Sequence, residues 1–355
     1  MRLLYIADYP PRPLSGGAEV RAHYLGRALL ARHEVWACLR GVDGEGGWAG
    51  ELPLPDRDVS RTFLKQAAAV IEQEEIEAIV ATGLNSGRYG ARLKKLTGVD
   101  FWMDEHNAEW HNARRAGYRL WPLIFMLEKS ILRHADWVTC VSPEDQQRLT
   151  DTFHLEPERV IVAPNGADFR QLHDASHQNV PRFADRGHRA VLFFGLLDYA
   201  PNREAVRVLA EEIQPKSPED IQFIVAGKGG DDLARRFPNL RFEGFVDDIH
   251  TLIRQCDGVL VPLRSGGGTR LKILESIACG RPVLSTVVGA EGLSRSAIGS
   301  GLTVTDDLDA TLEWLEALGP QVEVEPGAEF ERTYDWDVIW TATLPLVQIG
   351  SPPSS

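Results

Sequence analysis

The sequence predicts an α/β protein built from two consecutive doubly wound units, each a parallel β-sheet covered by helices on both faces. Three observations carry this reading. Short continuous apolar runs such as RLLYIAD (2–8) and AVLFFG (190–195) alternate with helical patterns along most of the chain, as buried parallel strands require. The alternation lapses once, in the polar stretch FRQLHDASHQNVPRFADRGHR (169–189), and then restarts, which reads as an interdomain linker. A chain of 355 residues is long enough for two domains of ordinary size.

Taken in order, the first strand (2–8) leads through a Pro/Gly loop into a helix over Ala18–Ala31, and HEVWACL (33–39) makes the second strand. Further strands are read at 78–83, 100–106, 136–142 and 159–166, with helices over Trp121–His134 and Pro143–Thr150. Beyond the linker come strands at 190–195, 221–227, 240–245, 258–263 and 282–286. One helix follows Asn202, and another opens near Thr269 or Arg270. YDWDVIWTATLPLV (334–347) reads as a short aromatic helix. The expected organisation is a first unit over 1–166, a second over 167–335, a C-terminal helix at 336–347 and a disordered tail at 348–355. In such sheets ligands bind beyond the carboxyl ends of the strands, so the expected site is a cleft between the two units, lined by those loops.

Composition narrows the function. Hydrophobic residues make up 43% and charged residues 25%, the balance of a globular protein. A net charge of -13 argues against a general nucleic-acid binder, whose affinity depends on many cationic phosphate contacts. The acidity is uneven: 20 Lys and Arg meet 23 Asp and Glu up to Gly166, against 18 and 28 beyond it. Cys38, Cys140, Cys256 and Cys279 lie in apolar stretches without CxxC or Cys/His spacing, so buried free thiols in a reducing compartment are expected. MRLLYIADYPP has neither the apolar core nor the cleavage site of a signal peptide. No run of 18 apolar residues could span a membrane, and a cytoplasmic location is expected.

Three loops carry candidate chemistry. SGGAEV after the first strand places Gly16 and Gly17 before a helix, where unpaired N–H groups and the dipole favour an anion. It lacks GxGxxG, so the ordinary dinucleotide fingerprint is not met. A tight turn accounts for it equally well. DEHNAEWHNARR clusters Asp104, Glu105, His106, Asn107 and His111. These could do acid–base work, bind a sugar hydroxyl or ligate a metal, or serve only as a helix cap and polar loop. In SGGGTRLKILESIACGRPVLST (265–286), Gly266, Gly267 and Gly268 clear side-chain bulk before a helix N-terminus, and Arg270 offers a fork of donors suited to phosphate. Lys272 and Glu275, three apart, can share a face, either in a ligand site or as a surface ion pair. The apolar positions Ile273, Leu274, Ile277 and Ala278 bury much of that helix and favour the site.

The stretch GGGTRLKILESIACGRPVLSTVVGAEGL resembles the signature helix of the group-1 (family 4) glycosyltransferases, retaining enzymes of GT-B fold with two facing Rossmann-like domains. SGGAEVRAHYLGRAL, DEHNAEW, DWVTCVSPED, VAPNGADF, FFGLLDYAPNREAV, FIVAGKG, EGFVDDI and YDWDVIW fall in the family's order, so the resemblance covers nearly the whole chain. It implies a nucleotide-diphosphate-sugar donor held mainly by the second domain, and a glycan, lipid-linked or small-molecule acceptor. Glu275 matches the second glutamate of the family's pair, which holds the donor ribose. Eight residues earlier, where the first glutamate engages the donor sugar, this chain has Gly267. It therefore resembles a subgroup that lacks that glutamate and uses small residues and backbone N–H groups.

The loop GLLDYAPN after Gly195 also departs from the family, which carries an Arg and a Lys there to grip the diphosphate. The resemblance then leaves Arg270 and Lys272 to compensate the leaving charge. Phe245 and Val246 match the loop that receives the base, and Gly227 with Lys228 match the glycine turn beside the diphosphate. Thr269 and Leu271 lie where the signature helix meets the donor. Gly16 and Gly17 match the loop closing over the phosphates, and His106 the histidine facing the donor sugar. The last helix is implied to cross back onto the first domain. No metal and no separate cofactor are expected, because two cations and a helix N-terminus would stand in for a divalent ion. An epimerase of the same architecture and a degenerate sugar-binding scaffold are the alternatives. Arg114, Arg115, Arg119, Lys129 and Arg133 flank LWPLIFML; they could lay the first domain on an anionic membrane, or be the solvated ends of a core helix.

Overall fold

The computed structural model describes residues 1–8, 16–40, 47–55, 59–176, 180–183, 187–267, 269–320 and 322–350. It divides into two compact units, Met1–Pro164 with Ile339–Ser355, and Asn165–Val338. The first contains β1 (Arg2–Ala7), α1 (Gly17–Leu30), β2 (Glu34–Leu39), β3 (Gly50–Pro53), α2 (Arg61–Gln73), β4 (Ala78–Thr82), α3 (Leu84–Thr97) and β5 (Asp100–Asp104). It continues through α4 (Glu109–Arg115), α5 (Trp121–Leu132), β6 (Trp137–Cys140), α6 (Pro143–Phe153) and β7 (Val160–Val162). All seven strands run parallel in the order β3-β2-β1-β4-β5-β6-β7. Leu4, Ile6, Ile79, Phe101, Met103 and Val138 pack into its core.

The second unit contains α7 (Phe169–Ser176), β8 (Arg189–Phe194), α8 (Ala200–Val208), β9 (Ile221–Ala226), α9 (Asp231–Arg236), β10 (Arg241–Gly244), α10 (Ile249–Gln255) and β11 (Gly258–Val261). Then follow α11 (Leu271–Ala278), β12 (Val283–Ser285), α12 (Arg295–Ile298), β13 (Leu302–Val304), α13 (Leu308–Ala317) and α14 (Phe330–Tyr334). Its six strands are also parallel, in the order β10-β9-β8-β11-β12-β13. α15 (Trp336–Thr343) brings the chain back to the first unit. There the Trp340 ring meets Trp102 at 6.4 Å and the Arg21 guanidinium at 5.0 Å.

Local chemistry explains several boundaries. Ser142 accepts from Asp145 N at 3.1 Å, and Pro143 takes the first turn of α6, the residue types a helix start favours. Asp248 caps α10 by accepting from Thr251 N. α3 stops at Gly98, whose φ of 78° is the left-handed exit glycine allows. All four cysteines are buried and free, and burial pushes Cys38, Cys140 and Cys279 up to about 12.

Some expected features differ. The polar stretch after Asp168 is not all linker, because α7 occupies its first eight residues. Leu172 is buried and the Phe169 ring lies 5.3 Å from Phe330. Two apolar residues one turn apart are too faint a pattern for periodicity, yet tertiary packing stabilises so short a helix. The signature helix starts at Leu271 with Arg270 at its N-cap. β3 and β13, with half-exposed burial patterns, escaped the reading because edge strands of three or four residues give no clear period. Of the expected tail, residues 348–350 are placed: Gln348 O accepts from Trp137 Nε1 at 3.2 Å, and Gly350 N donates to Asp100 at 2.6 Å. Residues 351–355 lie outside the described residues.

Candidate functional site

In the second sheet the strand order reverses between β8 and β11, and ligands of such sheets bind beyond the carboxyl ends at that point. Three glycines clear it. The chain leaves β8 through Gly195 and β9 through Gly227, and β10 ends at Gly244. Gly195 N donates to Ala226 O at 3.0 Å, and Gly227 N donates to Gly244 O at 2.7 Å, so the three strand ends are tied together. Gly195 and Gly227 have φ of 146° and 145°, a region L side chains rarely adopt. A Cβ on Gly227 would run into the Gly195 carbonyl. Lys228 accepts from Leu197 N at 2.8 Å through its carbonyl, which closes the turn beside them.

Lys272 lies against this floor. Its Nζ donates to Asn202 Oδ1 at 3.0 Å and stands 4.4 Å from the Phe193 ring centroid, a cation–π contact. Asn202 in turn donates to Leu196 O at 2.8 Å. A Cβ on Gly195 would lie 3.0 Å from the ammonium, so the absent side chain lets Lys272 close on the strand end. Burial, reinforced by the charge of Arg270 and opposed by Glu275, pushes Lys272 down to about 7. Arg270 donates to Gly267 O and folds back over the loop. Gly266 takes φ of 100°. The Thr269 hydroxyl is buried without a hydrogen-bond partner, and Leu271 is buried at the helix start. Gly268 lies outside the described residues.

Lys272 and Glu275 do not form the surface ion pair their spacing allows. Glu275 Oε1 instead faces His250 Nε2 of α10 at 3.7 Å. Burial works against a charge on His250, but the nearby carboxylate of Glu275 outweighs it and raises its pKa. His250 was not anticipated. It follows EGFVDDI directly, but no helical or strand spacing relates it to a residue 25 positions on. Phe245 and Val246, between β10 and α10, are exposed and half-buried respectively.

In the first unit the loop after β5 sits on a closed polar network. The Arg21 guanidinium meets Asp104 at 2.7 Å, both fully buried, and also donates to Ala163 O at 2.9 Å. Asp104 accepts from Thr82 Oγ1 at 2.8 Å and Thr139 Oγ1 at 2.7 Å. Burial alone would raise its pKa, but the charge and hydrogen bonds of Arg21 hold it below the usual carboxylate range. Thr82 Oγ1 lies 2.7 Å from His106 Nε2. Since Thr82 has one proton and gives it to Asp104, His106 must donate through Nε2. Burial pushes His106 down to about 4, so at neutral pH it is an uncharged imidazole with Nδ1 in the acceptor form.

Beside it, Glu105 is buried with neither carboxylate oxygen hydrogen-bonded. Burial and the charges of Glu128, Glu109, Asp104 and Asp145 hold its pKa well above the ordinary value. Glu128 accepts from Glu109 N and Trp110 N at 3.1 and 2.9 Å, which ties α5 to the start of α4. Asn107 donates to Glu109, and the His111 ring packs edge-on against Trp110. Among the described residues, no group of three or more His, Cys, Asp or Glu side chains is placed to hold a metal ion. Gly16 N donates to Glu19 Oε2 at 3.2 Å, so a carboxylate of the chain itself occupies the approach to α1, which Gly17 opens.

The helix α5 is not the core helix with solvated ends that its apolar run allowed. Tyr118, Leu120, Leu123 and Met126 are 52%, 52%, 65% and 62% exposed. Pro122, Met126, Lys129 and Arg133 are exposed at spacings of four, three and four, which is one helix face. Arg114, Arg115 and Arg119 are exposed just before it, while Glu128 is buried beneath.

Comparison with known proteins gives the family and the fold class of the chain. Residues 15–171 match the family model described as Glycosyltransferase Family 4, and residues 188–318 match that of Glycosyl transferases group 1. Over 305 residues, 83% of this chain and 84% of the relative, it is 24% identical to the O-antigen biosynthesis glycosyltransferase WbnH of Escherichia coli. It is 27% identical over 195 residues, half of each chain, to a phosphatidyl-myo-inositol mannosyltransferase of Mycobacterium leprae. Its fold is similar to sucrose-phosphate synthase from Thermosynechococcus elongatus, with TM-score 0.73, 17% identity and 98% of each chain covered. It is also similar to Anabaena Alr3699/HepE in complex with UDP-glucose, with TM-score 0.72 and 16% identity over 97% of this chain and 99% of that one.

Proposed function

As a group 1, family 4 glycosyltransferase of GT-B fold class, this chain, we propose, moves a sugar from a nucleotide-diphosphate-sugar donor to an acceptor hydroxyl with retention of configuration. The observation that carries the donor reading is the convergence of Gly195, Gly227, Asn202 and Lys272 at the switch point of the second sheet. Backbone there is bare enough for a diphosphate to approach, and an ammonium waits at its edge. In this reading Arg270, Lys272 and the N-terminus of α11 stabilise the charge that grows on the leaving diphosphate. Glu275 holds the ribose, and the loop at Phe245 and Val246 receives the base. The relatives' names supply a biological frame of surface polysaccharide or glycoconjugate synthesis.

The proposed transfer is a front-face displacement. The acceptor oxygen bonds to the anomeric carbon on the side from which the diphosphate departs, and a diphosphate oxygen takes the hydroxyl proton. The chain's work is positioning and electrostatics. Neutral His106, with Nδ1 as acceptor, suits a hydrogen bond from a sugar hydroxyl rather than proton donation. No divalent ion is assigned a part.

Incubation with a panel of nucleotide sugars tests the function. Slow release of nucleoside diphosphate supports a transferase, conversion of the sugar alone an epimerase, and binding without turnover a scaffold. The last is the second reading that a particular residue favours, because Gly267 removes a family carboxylate. Product anomeric configuration by NMR tests retention, and activity with a chelator tests metal independence.

For the acceptor, the exposed apolar residues of α5 and the cations around them suit an anionic lipid surface, where a lipid-linked sugar would be met. Apolar side chains enter the headgroup boundary and each cation adds about 1 kcal/mol near such a surface. Co-sedimentation with liposomes should require anionic lipid and be lost in Leu123→Ser/Met126→Ser. Equal binding to neutral liposomes, or none, removes the membrane from this proposal.

A further inference from the structure

We propose that His250 and Glu275 form a two-sided receptor for one ribose hydroxyl of the nucleoside diphosphate, and so make the site select ribose over deoxyribose. This rests on Glu275 as the ribose carboxylate.

The geometry of the pair suits a bridging hydroxyl. His250 Nε2 and Glu275 Oε1 stand 3.7 Å apart, close enough for ion pairing but too far for a direct hydrogen bond. Nε2 is buried without a hydrogen-bond partner, which is uncommon for a buried polar atom and calls for a reason. A hydroxyl oxygen placed about 2.8 Å from each atom resolves it. Its proton goes to the carboxylate, and its lone pair accepts the Nε2 proton. An ammonium, which only donates, or a second carboxylate, which only accepts, could satisfy only one of the two.

The surroundings keep the roles fixed. The charged groups acting on the ring are Glu275 from α11 and Asp248 and Arg254 from α10 itself. Asp248 is engaged as the cap of α10, accepting from Thr251 N and Oγ1 at 2.9 and 2.6 Å. Arg254 donates to Thr251 Oγ1 at 2.8 Å. Glu275 therefore remains as the carboxylate in ion-pair range, and it favours the ring form that carries a proton on Nε2. A deoxyribose lacking the bridging oxygen would leave two desolvated polar atoms unsatisfied, the circumstance in which sites discriminate strongly.

UDP, GDP, ADP and CDP are titrated calorimetrically against the full chain, and the tightest is compared with its 2′-deoxy and 3′-deoxy forms. The wild-type protein is expected to disfavour one deoxy form by tenfold or more. His250→Phe, which keeps a ring but removes both nitrogens, is expected to weaken the ribonucleotide about tenfold and leave that deoxy form within about twofold. His250→Ala carries the same expectation where the phenylalanine variant does not fold, as judged by thermal melting. Parallel weakening of both forms, or no weakening, overturns the inference. Glu275→Ala separates the premise. If it abolishes the preference while His250→Phe retains it, only the role of His250 fails. If it leaves the preference intact, or the wild-type protein binds no nucleoside diphosphate, the ribose reading fails and this inference with it.

Discussion

Lys272 donates to Asn202 at 3.0 Å while its ammonium stands 4.4 Å from the Phe193 ring. A cation held between one neutral amide and an aromatic face is only half stabilised, which is why burial pushes it down to about 7. An arriving diphosphate would supply the missing countercharge and raise that value. At pH 8 the free site is mostly neutral, so nucleoside diphosphate binding should take up about one proton at Lys272, and affinity should fall up to about tenfold per pH unit above 7. Titration in buffers of different ionisation enthalpy measures the uptake, and Lys272→Met should abolish it. Binding at pH 8 with no proton uptake would contradict the proposed grip.

Arg270 lies at the N-cap of α11 and reaches back to Gly267 O. If it stabilises the leaving diphosphate, Arg270→Ala should lower kcat about 10²–10³-fold. The thermal midpoint should move by only a few degrees, because the side chain is half-buried. Near-normal transfer by this variant would remove Arg270 from the mechanism.

Gly227 is also part of the frame on which the proposed donor site is built. Its φ of 145° and the Gly195 carbonyl facing its Cβ position leave no relaxed place for a methyl group. Gly227→Ala should destabilise the second unit by at least about 1–3 kcal/mol, the strain of such a backbone. Urea denaturation followed by tryptophan fluorescence measures this, and an unchanged midpoint would show that the turn can rearrange.

Removing the charge of Asp104 leaves Arg21 buried against the Trp340 ring without its carboxylate. Asp104→Asn should cost about 3–5 kcal/mol, since breaking a buried pair strands the partner. A double variant, Arg21→Met/Asp104→Asn, should recover much of the loss. Additive losses in that pair would argue against direct coupling.

The same network sets an acid limit. His106 falls from an ordinary 6.5 to about 4 in the folded chain, so its neutral form is favoured by folding. That contribution is complete above pH 6.5 and lost as pH falls towards 4, on the order of 3 kcal/mol in all. Asp104, whose pKa is lowered, contributes above the ordinary carboxylate pKa and loses it as pH falls through its folded value. Chemical denaturation at pH 7, 5.5 and 4.5 should show the first loss, and His106→Asn should flatten it.

Much of the fold was legible because its strands are continuous apolar runs between helices, a pattern only a doubly covered parallel sheet explains. The edge strands Gly50–Pro53 and Leu302–Val304 and the helix Phe169–Ser176 were not, because each owes its form to neighbours rather than to its own period. The site divides similarly. Gly266, Gly267, Arg270, Lys272 and Glu275 stand in one stretch and announce themselves. His250 and Asn202 do not, because a histidine after an acidic loop and an asparagine after a proline carry no mark of their partners.

By itself the sequence determined two parallel-sheet units, four unpaired thiols and a signature helix with cations and a carboxylate in its first two turns, since these follow from local composition and spacing. Only the tertiary structure decided what each charge meets. Lys272 and Glu275 are three residues apart, but Lys272 bonds Asn202 and Glu275 faces His250. Likewise the apolar run of α5 proved half exposed. The physical reason is the same in each case: a side chain's partner and solvent contact depend on which elements the sheet brings beside it, and those lie far away in sequence.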